Sequence, residues 1–136
     1  MSRCNVGVFE SPYLAAVATR DAFIEGVPES GSKLAGLAAG QTMKPVYDHL
    51  VSAEGRSRGL FSKTAFVQLD ELVSAARGDS SFSDEIDKHL LSRLSGGYRT
   101  FLPIDGQATR PDLEATRHGA ALLANGGLGV QLLGIA

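Results

Sequence analysis

Hydrophobic residues along the chain fall into two kinds of pattern. Short apolar runs occupy residues 34–39, 64–69, 98–102 and 130–135, and runs of that length bounded by turn residues predict β-strands. The first two runs are apolar enough to predict strands that are buried on both faces. Residues 5–9 predict a further short strand at the edge of a sheet.

Longer segments between these runs carry apolar residues at helical spacing, and each follows a residue that favours a helix start. The predicted starts are Ser11 with Pro12, Thr42, Ser83, and Thr109 with Pro111. The first helix should extend through Glu25 and bury Leu14, Val17, Ala18 and Ala22. The third should bury Ile86, Leu90, Leu91 and Leu94.

The alternation of strands and helices predicts an α/β fold. We expect a Rossmann-like open parallel sheet with helices on both faces, formed by residues 1–136 as a single domain. A buried strand at residues 130–135 would need a covering helix after it, and the sequence has none there. The pattern therefore predicts a sheet that is truncated at its C-terminal end.

Composition narrows the range of partners. Hydrophobic residues make up 43% of the chain, and the formal net charge is −2 without a basic cluster. We therefore expect neither nucleic acid nor a membrane surface as a partner, and no apolar run reaches transmembrane length. Cys4 is the only cysteine, which excludes an intramolecular disulfide and is typical of a cytoplasmic protein.

The joint between the run at residues 34–39 and the following helix is a candidate phosphate site. Gly40 permits a sharp turn, and Thr42 is a good N-cap. The free N–H groups and the positive dipole end of a helix attract anions such as phosphate. Such joints recur in α/β proteins whatever they bind, so a purely structural joint remains the alternative.

Asp70 and Glu71 form the second candidate site because they follow the predicted strand at residues 64–69. Ligands of open parallel sheets sit beyond the carboxyl ends of the strands, so both residues should lie near the Gly40 turn. Adjacent residues of a strand point to opposite faces, and both carboxylates enter one crevice only if the strand has already ended. The alternative is a solvated strand end.

Other candidate motifs are excluded or given structural roles. Gly31, Ser32 and Lys33 lack the order of a P-loop and precede a strand, which excludes a nucleoside triphosphate site. The glycines at residues 126–129 precede a strand and do not form a dinucleotide fingerprint. The histidines fall in predicted helices beside polar residues, so we expect surface positions for His49, His89 and His118.

Four stretches carry a family resemblance in their order along the chain. They are residues 37–42, with Ala-Ala-Gly-Gln-Thr; residues 66–73, with a strand ending in Asp-Glu; Ser81 with Phe82; and residues 126–135, with Gly-Gly-Leu-Gly-Val. Together they resemble the first half of the glucosamine-6-phosphate deaminase/isomerase and 6-phosphogluconolactonase family. The collinear similarity extends roughly from Asn5 to Ala136.

The sequence departs from that family at several positions. Gln41 replaces a small Ser or Gly, Met43 replaces Pro, Leu72 replaces the Tyr of the deaminases, and Gly129 replaces a frequent Asp. The family continues with an Asp-Gly-His segment that carries an acid/base histidine and, later, a phosphate-binding lysine. The 136 residues contain neither, so the resemblance implies about half of a domain.

The resemblance also implies roles for the candidate residues. Gly40, Gln41 and Thr42 would hold a sugar phosphate through their N–H groups, with the Thr42 hydroxyl as a further donor. Asp70 would be the general base that moves a proton between C2 and C1 of the open-chain sugar. Glu71 would raise the pKa of Asp70 as a neighbouring carboxylate. No metal or organic cofactor is implied.

Several functions remain open at this stage. The first is glucosamine-6-phosphate deaminase/isomerase chemistry with an incomplete catalytic site. A 6-phosphogluconolactonase-type hydrolase is the alternative within the family, and a non-catalytic domain that binds a sugar phosphate for regulation is the alternative outside enzymes. A ligand-free remnant is the third, and self-association into a homo-oligomer is one way to cover an exposed strand.

Overall fold

A computed structural model describes residues 3–73 and 81–135 of the chain. Its strands are β1 (Leu34–Leu37), β2 (Ala65–Gln68), β3 (Thr100–Leu102) and β4 (Leu128–Gln131). Its helices are α1 (Pro12–Gly26), α2 (Met43–Arg56), α3 (Phe82–His89) and α4 (Pro111–Ala124), and a short 3₁₀ helix covers Leu91–Arg93.

The strands form a parallel sheet in the order β3-β2-β1-β4. Leu34 lies beside Ala65, and Leu37 lies beside Gln68, so β1 and β2 end at the same level. All residues of these two central strands are buried, as their continuous apolar runs predict. The predicted α/β parallel sheet is confirmed.

Side chains of the central strands alternate between two apolar clusters, which lie on opposite faces of the sheet. Ala35, Leu37 and Phe66 belong to the larger cluster, which includes residues of α1, α2 and α3. Leu34, Ala65 and Val67 belong to the smaller one, against which Leu122 of α4 packs. Helices therefore cover both faces, as the sequence predicts.

The predicted edge strands are wrong in part. Residues 5–9 form no strand, and the side chains of Val6 and Val8 are 84% and 92% exposed. β4 covers residues 128–131 in place of the predicted 130–135, because its register with β1 ends at the pair Gly36 and Gln131. An edge strand extends only as far as its single neighbour offers pairing groups, and the apolar pattern does not carry that information.

Helix starts agree with the sequence at some positions only. Ser11 caps α1 by accepting a hydrogen bond from Leu14 N at 3.2 Å, as predicted. Ser81, not Ser83, caps α3, because Asp84 completes a reciprocal capping box with it. Thr42 occupies the N-cap position of α2, but its side chain makes no capping hydrogen bond.

The start of α4 also differs in one residue from the prediction. Pro111 is its first residue as predicted, whereas the N-cap is Arg110 and not Thr109. No side chain caps this helix start, and the Arg110 guanidinium pairs with Asp112 at 2.7 Å. The helix start therefore has an exposed ion pair in its first turn and no side-chain cap.

The buried face of α1 was predicted incorrectly. Its buried residues are Ala16 and Phe23, whereas Leu14 is 44% exposed and Ala22 is also exposed. α1 packs between α2 and β4, so the face that carries Ala16 and Phe23, seven positions apart, turns inward. The four apolar residues predicted for the third helix are buried: Ile86, Leu90, Leu91 and Leu94. Its predicted length is wrong, because α3 ends at His89 and Leu91 belongs to the separate 3₁₀ helix.

In the parts of the chain that the structure describes, none of the helices is both long and apolar enough to cross a lipid bilayer.

A buried carboxylate near the end of α2 fixes two loops. Glu54 is 1% exposed and accepts hydrogen bonds from Gly96 N at 2.6 Å, from Gly59 N at 3.2 Å and from Ser95 N at 3.2 Å and Ser95 Oγ at 3.0 Å. Burial alone would raise the pKa of Glu54, but these donors outweigh burial and hold it below its ordinary value of 4.5. Ionised Glu54 therefore anchors both loops to α2.

Replacing Glu54 with Gln should destabilise the fold by about 2 kcal/mol, because an amide NH₂ group would face backbone N–H donors. Since the pKa of Glu54 is lowered in the folded state, the advantage of the wild type is complete above pH 4.5 and is lost as the pH falls below that value. Urea unfolding over a pH series measures both effects. Glu25→Gln on the exposed side of α1 is the control, and equal losses in the two variants would contradict the role of Glu54.

Candidate functional site

The side chain of Gln68 organises the carboxyl end of β2. This fully buried residue donates from Nε2 to the carbonyl oxygen of Asp70 at 2.8 Å and to Glu71 Oε2 at 2.9 Å. Its Oε1 accepts a hydrogen bond from Ile104 N, just beyond β3, at 2.9 Å. One amide therefore ties together the ends of two strands and the turn that carries both candidate carboxylates.

Glu71 lies at the start of α3. Its carboxylate accepts hydrogen bonds from Phe82 N at 3.0 Å, Ser83 N at 3.2 Å and Leu72 N at 3.0 Å, in addition to the one from Gln68. Burial alone would raise the pKa of Glu71, but these four donors lower it below its ordinary value of 4.5. The carboxylate is therefore ionised and fully engaged in joining α3 to the end of β2.

Asp70 is exposed and lines an open cavity of about 390 Å³ between the end of β2 and α4. We call it the acidic cavity, because its lining includes the carboxylates of Asp70, Glu71, Asp105 and Glu114. The guanidinium of Arg117 binds Glu114 and lowers the pKa of that carboxyl to about 2. No Lys or Arg occurs among the described lining residues, so the cavity favours neutral or cationic groups over anions.

His118 on α4 also lines the acidic cavity, and its predicted surface position is wrong. The residue is 7% exposed, and its Nε2 lies 2.8 Å from the carbonyl oxygen of Gln68. The sequence contained a signal for this position, because His118 shares a helix face with Leu122, which packs against the smaller apolar cluster. A polar residue on the apolar face of this helix thus indicated a buried hydrogen bond, here the one between His118 and Gln68.

The β1–α2 turn, which consists of Gly40, Gln41 and Thr42, is exposed. Gly40 has a φ of +119°, a conformation that side chains disfavour, which explains the glycine at this bend. Met43 N and Lys44 N donate to the carbonyl oxygens of Gly40 and Gln41. Within residues 3–73 and 81–135, no carbonyl accepts a hydrogen bond from the N–H groups of the three turn residues.

Tyr47 fixes the position of the β1–α2 turn. Its buried hydroxyl donates a hydrogen bond to the carbonyl oxygen of Ala38, which joins the first part of α2 to the chain just after β1. Burial raises the pKa of the Tyr47 hydroxyl above its usual range, so the group stays protonated and remains a donor. This hydrogen bond therefore fixes the chain before the turn to the helix that follows it.

The two candidate sites lie at the same edge of the sheet but line different cavities. Gln41 and Thr42 line a cavity of about 490 Å³ between α1 and α2, whereas Asp70 lines the acidic cavity beside α4. Leu69 N donates to the carbonyl oxygen of Leu37 at 3.1 Å, which keeps the two strand ends adjacent. In the described part of the chain, no three side chains of His, Cys, Asp or Glu are arranged to hold a metal ion.

The parallel sheet with helices on both faces places the chain in the class of open α/β domains, in which ligand sites lie beyond the carboxyl ends of the strands. No protein-family model matches the chain. The chain is, however, related in sequence to the glucosamine-6-phosphate deaminases, and the matches fit the N-terminal half of that family. This confirms the resemblance predicted from the sequence.

Sequence identity and coverage are similar for three of these relatives. The deaminase of Bacillus velezensis is 35% identical over 114 residues, which are 82% of this chain and 46% of the relative. The deaminase of Ligilactobacillus salivarius is 36% identical, over 79% of this chain and 43% of the relative. The deaminase of Streptomyces avermitilis is 32% identical, over 75% of this chain and 40% of the relative. The chain thus spans about half the length of the relatives that it matches. All three are deaminases, so they give no support to the lactonase alternative.

The fold is also similar to that of a solved structure. A monomeric glucosamine-6-phosphate deaminase, described as a missing link of the NagB superfamily, superimposes with a TM-score of 0.79 and a sequence identity of 19%. The similarity covers 94% of this chain and 54% of that one. It shows a shared fold.

The two neighbouring carboxylates should differ in their effect on stability. Glu71→Gln places an amide NH₂ group among backbone donors and should cost about 1 kcal/mol at neutral pH. Asp70→Asn changes an exposed side chain and should alter the free energy of unfolding by less than about 0.5 kcal/mol. Urea unfolding of both variants measures this difference, and a larger loss for Asp70→Asn would contradict the assignment.

Proposed function

We propose that the chain binds a sugar phosphate across the carboxyl ends of β1 and β2 and takes part in glucosamine-6-phosphate deaminase/isomerase chemistry. One observation carries this proposal. An exposed turn, whose N–H groups have no hydrogen-bond partner among the described residues, lies one strand away from a cavity whose lining includes four acidic residues. An amino-sugar phosphate carries a negative phosphate at one end and a positive ammonium group at the other. The N–H groups of the turn suit the phosphate, and the carboxylates of the cavity suit the ammonium group.

The phosphate group is assigned to the β1–α2 turn. Its N–H groups lie at the positive end of the α2 dipole, where an anion is favoured. The Thr42 hydroxyl is not used as a helix cap, so it is available as a further donor. The side-chain amide of exposed Gln41 offers an additional donor at the same turn.

The amine-bearing end of the sugar is assigned to the acidic cavity. Asp70 and Asp105 repel a phosphate and attract an ammonium group, whereas the charge of Glu114 is offset by its ion pair with Arg117. The charge distribution therefore favours one orientation of the ligand. In that orientation C1 and C2 of the open-chain sugar approach Asp70.

Asp70 is assigned the role of general base, which moves a proton between C2 and C1. It is exposed at the cavity mouth, so its carboxylate can meet a bound ligand. We assign Glu71 a positioning role, because its oxygens already accept hydrogen bonds from Gln68 and from the start of α3. Glu71 thereby fixes the turn that presents Asp70.

We propose that residues 1–136 belong to a single sugar-phosphate isomerase/deaminase-like domain. Because the chain spans about half of its relatives' length, the complete deamination is proposed only as the reaction in which these residues act. A cytoplasmic location and self-association stay predictions from the sequence.

Ligand binding is the first test, measured by thermal unfolding and by titration calorimetry. Glucosamine 6-phosphate should raise Tm, and Thr42→Val should weaken its binding about fivefold through loss of one hydrogen bond. Binding of unphosphorylated glucosamine should not change in that variant. Thr109→Val, in an exposed loop, is the matched control. Unchanged affinity in Thr42→Val would remove the turn from the site, and no effect of the ligand on the wild type would contradict the proposal.

The base role of Asp70 is tested by a partial reaction. In D₂O, the wild type should exchange a C1 proton of fructose 6-phosphate for deuterium, because this step needs only a base beside the ketose. Asp70→Asn should abolish the exchange and keep the affinity within about twofold, whereas Asp87→Asn on α3 should change neither. Proton NMR follows the exchange. Simultaneous loss of exchange and binding, or exchange that persists, would refute the assignment.

A further inference from the structure

The two ring nitrogens of His118 have different surroundings. Nε2 lies 2.8 Å from the carbonyl oxygen of Gln68, and a carbonyl only accepts hydrogen bonds, so Nε2 carries the proton. In the neutral ring Nδ1 is then an acceptor. Nδ1 is buried, and no group in the described part of the chain forms a hydrogen bond with it. A buried acceptor without a hydrogen-bond donor is unfavourable, which indicates that a donor binds to Nδ1 when the site is in use.

Among the described residues, the walls of the acidic cavity do not offer that donor. Their polar side chains besides His118 are carboxylates, which are acceptors when ionised. Glu71 is engaged at the start of α3, and Glu114 is engaged by Arg117 and by Asp105 N. Residues 3–73 and 81–135 thus supply no donor for Nδ1, and a molecule that enters the cavity can supply one.

We propose that His118 is a ligand-binding residue whose Nδ1 accepts a hydrogen bond from a hydroxyl group of a sugar in the acidic cavity. This inference rests on the proposed function, because it concerns the sugar end of the same ligand. Since Nδ1 itself has no solvent-exposed surface, contact requires a small movement of the cavity wall. Asp70 and Val73, which line the same cavity, are exposed. The ring orients the ligand, and no proton is transferred.

His118→Gln separates this role from a structural one. The glutamine amide can occupy the position of the Nε2 donor and keep the bond to the carbonyl of Gln68, but it has no counterpart of Nδ1. We expect Tm to change little and the Kd for glucosamine 6-phosphate to rise about fivefold, which is the effect of one hydrogen bond. His89→Gln on α3 is the matched control and should leave Kd unchanged. A Kd within about twofold of the wild type in His118→Gln would overturn the inference.

A measurement on the wild type covers the case in which His118→Gln fails to fold. In protein labelled with ¹⁵N-histidine, the Nδ1 resonance of His118 should move toward lower frequency when glucosamine 6-phosphate saturates the site, while that of His89 stays in place. Saturation without a change at Nδ1 would overturn this inference alone. Absence of any binding would overturn it together with the proposed function.

Discussion

The buried amide of Gln68 is the interaction on which the candidate site depends. At the end of a central strand, this side chain satisfies a backbone donor beyond β3, a backbone acceptor at Asp70 and the carboxylate of Glu71. The Gln68 carbonyl also accepts the hydrogen bond from His118 on α4. Because a buried polar group is costly when unpaired, these partners must form together, and they fix four elements around one point.

The candidate site has different charges at the carboxyl ends of its two strands. β1 ends in an exposed turn of backbone donors at a helix start, and β2 ends beside a cavity of carboxylates. Because Leu37 pairs with Gln68, the turn after β1 and the cavity at the end of β2 lie at neighbouring positions and remain separate. The proposed orientation of a ligand with an anionic and a cationic end rests on this arrangement of charge.

The sequence predicted the features that local pattern determines and missed those that depend on a distant partner. Continuous apolar runs identified β1 and β2, because strands buried on both faces need no other information. The length of β4 depends on β1, and the burial of His118 depends on a carbonyl that lies 50 positions earlier in the chain. The engagement of Glu71 likewise requires the N–H groups of Phe82 and Ser83, which a spacing argument at the strand end does not reveal.

A crystal structure of the chain with glucosamine 6-phosphate would show directly where each end of the ligand lies. We expect the phosphate within hydrogen-bond distance of the N–H groups of Gly40, Gln41 and Thr42, with the amine-bearing end beside Asp70 and a hydroxyl at His118. A phosphate in the acidic cavity, or a ligand that contacts neither strand end, would contradict this expectation.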